Sequence, residues 1–281
     1  MSLNARIDCG TPALLEFRGP DAVRFLNGQV TQDVRKLDAE KISLPSCVTD
    51  AKGRLQFRVW LMKSADDALW VSATEADAQA LEARLTRYLI ADEVEVKNLS
   101  GQWTLIHFTA DPGAVPAGVI ARDSARFGLA GTDWWIPAGV TVKFPESFPL
   151  LEGDALEAFR IAHGVPAWDR ELYDGLLPPE ACLDASDISY HKGCYIGQEV
   201  ISRIKHVGKV NKRLIHATID ASVSMESRLL DAAGKPAGEL TSISPISKNG
   251  KRDLMAYLKR GAEGVVLVNP DGTRHPLEVG A

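Results

Sequence analysis

Disulfide and zinc signatures are missing from this chain of 281 residues. Its four cysteines, Cys9, Cys47, Cys182 and Cys194, lie far apart with no C-x-x-C pair. That spacing excludes a disulfide framework and a structural zinc site. A single cysteine also falls short of an iron–sulfur cluster, which as a rule takes four ligands. Long apolar runs are absent too: nothing approaches the roughly 18 residues that span a bilayer. Met1 to Asp8 lack a charged segment followed by an apolar one, so neither a signal nor a transit peptide is expected. A reducing compartment, most simply a bacterial cytoplasm, fits these absences. A net charge of −5 and a pI near 5.7 argue against a general nucleic-acid coat.

Charge is distributed unevenly. From His191 to Arg213 there are six cations (Lys192, Arg203, Lys205, Lys209, Lys212, Arg213) against one acid, Glu199. Just upstream, Glu152 to Asp187 carries nine acids and two arginines. A basic ribbon in an acidic chain suits a locally held anion. An intramolecular match between the two ribbons, with solvated lysines, explains it equally well.

Periodicity marks the elements. Pro12 to Arg18 reads as a strand closed by Gly19-Pro20, and Asp21 to Asn27 as a short helix stopped by Gly28. Leu55, Phe57, Val59 and Leu61 alternate with polar or amphipathic residues, which predicts a strand with one buried face, paired to Ala68–Ala73. Thr74 and Asp77 resemble a capping box for a helix over Glu75–Ile90, with Leu81, Leu85 and Leu89 inward. Strands at Glu93–Asn98 and Trp103–Thr109 follow. Asp111–Pro149 is rich in Pro and Gly and predicts mixed strands and turns, with Trp134-Trp135 on a strand. Gly153 to His163 reads as a helix with Leu156 and Phe159 inward. Beyond Val207, short apolar runs (Leu214–Ile219, Gly238–Ile243, Leu254–Leu258, Val265–Val268) alternate with Gly234-Lys235-Pro236, Asn249-Gly250 and Asp271-Gly272. That is the texture of a small all-β domain. The whole reads as α+β.

The segment His191-Lys192-Gly193-Cys194-Tyr195-Ile196-Gly197-Gln198-Glu199 stands out. Glycines on either side allow a tight turn to present the thiol, and a nearby ammonium favours the thiolate. A free cysteine is also commonly a small buried hydrophobe.

Lys192 to Glu199, followed by Arg203 and Gly208, resembles the signature of the YgfZ family of folate-binding proteins. That family is related to the T-protein (aminomethyltransferase) of the glycine cleavage system. The branch that includes the mitochondrial iron–sulfur assembly factor carries the same octapeptide. Further blocks match in order: Gly19-Pro20-Asp21-Ala22, Phe25 to Gln29, Thr31 to Val34, Thr49 to Arg54, then Arg160, Gly164, Pro166, Leu177-Pro178 and Glu180. The resemblance implies interleaved ferredoxin-like halves around a central cavity plus a C-terminal small β-barrel. Its boundaries are an α+β body over 1–206 (1–48 with 149–206, and 49–148) and a barrel over 207–281.

It implies a tetrahydrofolate or related reduced folate as cofactor, and iron–sulfur client or assembly proteins as partners. No metal site, membrane contact or direct nucleic-acid contact is expected. Cys194 and Lys192 are the catalytic candidates. Asn27, Gln29, Asp50, Lys52, Arg54, Tyr195, Gln198, Glu199 and Arg203 are the candidates for folate. Without the family, Asp50, Lys52 and Arg54 read as a polar turn, and Glu199 as an i,i+4 partner of Arg203. The expected function is iron–sulfur cluster assembly or repair, supporting cluster-dependent enzymes that include tRNA-modifying ones. The rivals are a folate-dependent C1 transferase and a tRNA binder using Lys205–Arg213. T-proteins carry a paired aspartate where this chain has Gln56 and Phe57, and a glutamate where it has Ala162. Glycine-cleavage chemistry is therefore not expected, since neither Gln56 nor Phe57 supplies a carboxylate base.

Overall fold

Alternating apolar strands form the larger of two compact units. The computed structural model describes residues 4–38, 41–64, 68–208 and 210–277. Lys209 of the basic run and the first three residues of the N-terminal segment lie outside them. One unit takes residues 1–151 with 184–202, and the other takes residues 152–183 with 203–281.

In the first unit the described elements are β1 (Arg6–Asp8), β2 (Ala13–Arg18), α1 (Ala22–Gln29), β3 (Ile42–Thr49), β4 (Leu55–Lys63), β5 (Leu69–Ala73), α2 (Ala78–Thr86), β6 (Glu95–Asn98), β7 (Trp103–Phe108), β8 (Ile120–Ser124) and β9 (Gly131–Pro137). They build a nine-stranded sheet in the order β1-β7-β9-β8-β3-β4-β5-β2-β6. Only a short parallel register, Ile42↔Asp123 and Ser43↔Ser124, joins its two antiparallel parts at β3 and β8. Two apolar clusters cover the β4 region. Val59 and Leu61 pack with Phe17, Phe25, Leu26, Leu81 and Leu85, whereas Met62 packs with Trp70, Leu105 and Trp135.

The predicted single buried face of β4 is therefore corrected. A strand this deep in the sheet has neighbours on both faces, and Trp60 and Met62 are as buried as Val59. Two helix limits are corrected as well. Helix α1 runs through Gly28 to Gln29, because Gln29 buries its side chain on the same face as Phe25. Helix α2 begins at Ala78, with Asp77 itself the N-cap accepting from Ala80 N at 2.8 Å. It stops at Thr86, where Tyr88 and Ile90 beyond it are exposed, although Leu89 still packs against the core as expected. Trp134 and Trp135 lie on a strand, β9, as expected, and both are buried.

The second unit contains α3 (Gly153–Ala162). Helix α4 (Gln198–Val207) carries the chain from the first unit into the second. Strands β10 (Lys212–Asp220), β11 (Arg228–Leu230), β12 (Gly238–Ile243), β13 (Lys251–Lys259), β14 (Val266–Val268) and β15 (Arg274–Pro276) follow. They form two three-stranded sheets, β10-β13-β12 and β11-β14-β15, around Ala217, Ile219, Leu229, Leu254, Ala256 and Leu267. Asn249 and Gly250 both take positive φ, 53° and 71°, which is what a two-residue hairpin turn needs.

Two of the nine acids of the acidic ribbon are neutralised within it. Buried Arg160 on α3 donates to both oxygens of Glu157 at 2.6 Å, to Glu171 at 3.0 Å and to Ser242 at 2.9 Å. Glu171, fully buried, also accepts from Ser242 at 2.6 Å. A buried charge is tolerated in this way only when its partners and hydrogen bonds are complete.

Candidate functional site

Residues 184–202 return to the first unit and are tied to it by short bonds from three separate parts of the sequence. Lys192 makes three of these. Its ammonium donates to the backbone carbonyls of Asn27 (2.7 Å), Val30 (2.8 Å) and Gln32 (2.7 Å). An ammonium has three protons to donate, so all are used. Its charge also lies 5.1 Å from the centre of the Tyr195 ring. Burial pushes the pKa of the Lys192 ammonium down to about 7, while the Asp33 carboxylate nearby favours the charged form. Lys192 was expected to activate Cys194. Its donors are instead committed to the end of α1 and the turn after it, so it fastens the loop.

The same stretch of chain grips the loop elsewhere. Thr31 Oγ1 donates to Asp187 O at 2.6 Å, and Gln32 Nε2 to Ser186 O at 2.8 Å. Ile196 N donates to Gly28 O at 3.1 Å. Asp187 is fully buried and pairs with Arg58 of β4 at 2.7 Å. Asn27, a candidate ligand residue, turns its side-chain oxygen to Val34 N at 3.1 Å.

The third fastening is steric. Gly197 has φ +87°, and a Cβ there would lie 2.6 Å from Asp50 O, 2.7 Å from Thr49 Oγ1 and 2.8 Å from Gly53 Cα. Gly53 has φ +71°, and its own added Cβ would meet Gly197 O and Ile201 at 3.2 Å. The two glycines let the Cys194 loop and the β3–β4 turn touch backbone to backbone, sealed by Thr49 Oγ1 donating to Ile196 O at 2.7 Å. Two motifs separated by about 140 residues of sequence are thus one construction.

Within it the turn is self-supporting. Asp50 Oδ1 accepts from Lys52 N and Arg54 N, each at 2.8 Å, the pattern of an Asx turn. The Lys52 and Arg54 side chains are exposed. Arg84 of α2, a residue that the periodicity of its helix did not single out, reaches this turn. It donates to Gln56 Oε1 (2.6 Å), Gln29 Oε1 (3.3 Å) and Thr49 O (2.5 Å). All three acceptors are neutral, and burial lowers the guanidinium's pKa. Gln56, where T-proteins have an acid, is here an acceptor for a half-buried cation.

Cys194 itself is exposed, whereas Cys47 is buried and Cys9 and Cys182 are half-buried; none of the four is in a disulfide. Gly193 before it has open space around its Cα. Burial pushes the thiol of Cys9 up to about 12 and that of Cys47 well above its ordinary value, which makes both poor nucleophiles. Tyr195 faces the other way, into a cluster with Ile188, Ile201 and Tyr190. Its phenol oxygen is buried with no hydrogen-bond partner, and burial raises its pKa. Gln198 N donates to Tyr195 O at 3.1 Å, closing the turn into α4. Glu199 and Arg203 are exposed on that helix. Among the described residues neither takes part in an ion pair, so the expected i,i+4 bridge is not formed. The structure therefore brings Cys194, Lys192, Tyr195, Asn27, Gln29 and Asp50 into one construction in the first unit. It leaves Glu199 exposed at the start of α4 and Arg203 exposed further along that helix. Among the described residues no group of three or more His, Cys, Asp or Glu side chains is arranged to hold a metal ion.

Comparison with known proteins decides the relationship. The chain is 29% identical over 243 residues to the tRNA-modifying protein YgfZ of Aliivibrio fischeri, covering 81% of this chain and 74% of that one. It is 24% identical over 242 residues to the mitochondrial iron–sulfur cluster assembly factor IBA57 homolog of Cryptococcus neoformans, covering 72% and 63%. The chain is a homologue of the YgfZ and IBA57 proteins. Its matched part spans a little under two thirds of the fungal relative's length, 63%. No protein-family model matches it. Among solved structures, the glycine cleavage system aminomethyltransferase T from Bartonella henselae superposes with a TM-score of 0.79 at 16% identity, covering 100% of this chain and 86% of that one. The mixed α/β fold, with its large sheet and few helices, is that of the aminomethyltransferase. Among the described residues no helix is long and apolar enough to cross a membrane.

Proposed function

We propose that the protein is a reduced-folate-binding factor for iron–sulfur cluster assembly or repair, working through Cys194 in a reducing cytoplasm. The observation that carries this reading is an exposed thiol on a loop whose backbone is fixed by Lys192, Asp187 and Gly197. A thiol with no structural contact to lose, held on a rigid mount, is suited to meeting another molecule. One thiolate supplies one ligand, so the remaining ligands of a cluster come from the client protein and the cluster is cargo. Enzymes that depend on clusters, including those that modify tRNA, would be supported indirectly.

Two polar atoms left unused support a reduced folate as the ligand. The Tyr195 phenol is a buried polar group without a partner, the kind of group that a ligand's polar edge satisfies. Asp50 spends only Oδ1 on its turn, which leaves Oδ2 as an acceptor. Tyr195 and Asp50 would hold the ring system, and when bound a reduced folate supplies nitrogens that carry a one-carbon unit. Replacing Tyr195 with phenylalanine removes an unsatisfied buried hydroxyl, so the melting temperature of the free protein should hold or rise. The stabilisation brought by saturating tetrahydrofolate should shrink. A full folate-induced shift in the variant would remove Tyr195 from the site.

The transferase reading is weaker because Gln56 and Phe57 offer no base, and the Gln56 oxygen is committed to Arg84. Deleting the gene should lower the activity of cluster-dependent enzymes in cells. The purified protein should show no turnover of tetrahydrofolate with a C1 donor, and no RNA affinity that falls steeply with salt. Turnover would favour the transferase, and steep salt dependence the tRNA binder.

A further inference from the structure

A second feature lies within the other unit and is not used by the Cys194 site. Strands β10 and β13 pair so that Lys212 and Lys259 stand directly opposite each other. Opposed positions in an antiparallel pair bring two like charges onto one face at close range, which is destabilising. Arg260 follows immediately and is tied in by its N–H to Asn211 O at 2.9 Å. Lys212, Lys259, Arg260, Asn211, Gly261 and Glu180 line an open surface hollow of about 800 Å³.

Among the described residues, none of the three cations forms an ion pair. The Lys212 ammonium donates to Tyr173 Oη at 2.7 Å and sits 4.1 Å from the Tyr257 ring centre. Lys259 donates to Pro236 O at 3.0 Å. Hydroxyl, carbonyl and ring faces orient the two lysines without neutralising them. Glu180 contributes the single carboxylate of the lining, against three positive charges. Isolated surface lysines are ordinarily solvated and mean little. Here one is held against two tyrosine rings, its in-register neighbour carries the same charge, and a third cation lines the same hollow.

We propose that this hollow binds a multivalent anion, a ligand presenting two or more phosphate or carboxylate groups to Lys212, Lys259 and Arg260. Charge-assisted contacts of this kind are the stronger class of hydrogen bond. Inorganic tripolyphosphate and a short oligoglutamate serve as probes, titrated by calorimetry at low salt into the full chain and into a Lys259→Gln/Arg260→Gln double variant. The wild-type protein should bind one of them, and the preferred probe tells phosphate from carboxylate. The double variant should lose at least tenfold in affinity. It should also keep or raise the melting temperature of the free protein, because the substitution relieves the opposed lysines. Arg228→Gln, an exposed cation change outside the lining, should bind as the wild type does. Failure of both probes to bind, equal binding by the double variant, or an equal loss in Arg228→Gln would each overturn the site.

Discussion

Alanine at Gly197 should detach the Cys194 loop from the β3–β4 turn, whereas alanine at Gly193, four residues earlier, should be nearly silent. At Gly197 the backbone has φ +87°, and the new methyl would sit within 2.8 Å of three atoms, two of them backbone. Backbone cannot swing aside as the end of a long side chain does. Left-handed strain and overpacking each cost about 1–3 kcal/mol, so about 3–5 kcal/mol is expected for the pair. Gly193 has an ordinary φ and nothing within 4 Å of an added Cβ. The comparison checks the docking because both changes are the same single methyl in the same octapeptide. Thermal unfolding would register the difference. So would labelling of Cys47, which is buried behind this loop's anchor: its N–H bonds Thr31 Oγ1, the atom that also holds Asp187 O. Similar melting temperatures and equally slow Cys47 labelling in the two variants would show that the glycines do not meet.

Lys192→Met should cost about as much by a different route. The methionine fills similar space but leaves the carbonyls of Asn27, Val30 and Gln32 without their donor. Each buried polar group left unpaired costs about 1–3 kcal/mol, and with partial relaxation about 3–5 kcal/mol is expected in all. Arginine should rescue poorly, because a planar guanidinium spreads its donors in a fork and cannot converge three of them on one point. Chemical denaturation of the three proteins would decide it. Recovery of wild-type stability in Lys192→Arg would mean that charge alone matters and the carbonyl cage does not.

Much of this architecture is visible in the sequence, for reasons that differ from element to element. The alternation Leu55, Val59, Leu61 gives a strand because successive side chains leave opposite faces, and that holds whatever surrounds it. Alternation says nothing about what covers the second face, so the burial of Trp60 and Met62 emerges only once β4 lies inside a nine-stranded sheet. The hairpin at Asn249-Gly250 is legible because the left-handed turn is a local steric demand. Helix α1 passes through Gly28 because burial of Gln29 outweighs the local signal to stop.

At the site, the octapeptide and the Thr49–Arg54 block are each recognisable, but their contact is not. It depends on two positive-φ glycines facing each other across about 140 residues of chain. The activating part expected of Lys192 followed from its being two residues from Cys194. Adjacency along the chain does not fix where an ammonium on a four-carbon stem finds its acceptors, and here three carbonyls took it. Arg84 left no sequence signal at all. It occupies an ordinary helix position, and its partners are neutral amides and a carbonyl rather than an acid that would betray a pair.

The exposed sulfur is the heart of the account, and serine at Cys194 tests it without disturbing the mount. Cys194 has no described hydrogen bond or core contact, so Cys194→Ser should unfold like the wild type. Expressed in a strain lacking the gene, the variant should fail to restore the activity of cluster-dependent enzymes that the wild-type protein restores. Full restoration by the serine protein at equal abundance would contradict a working thiol.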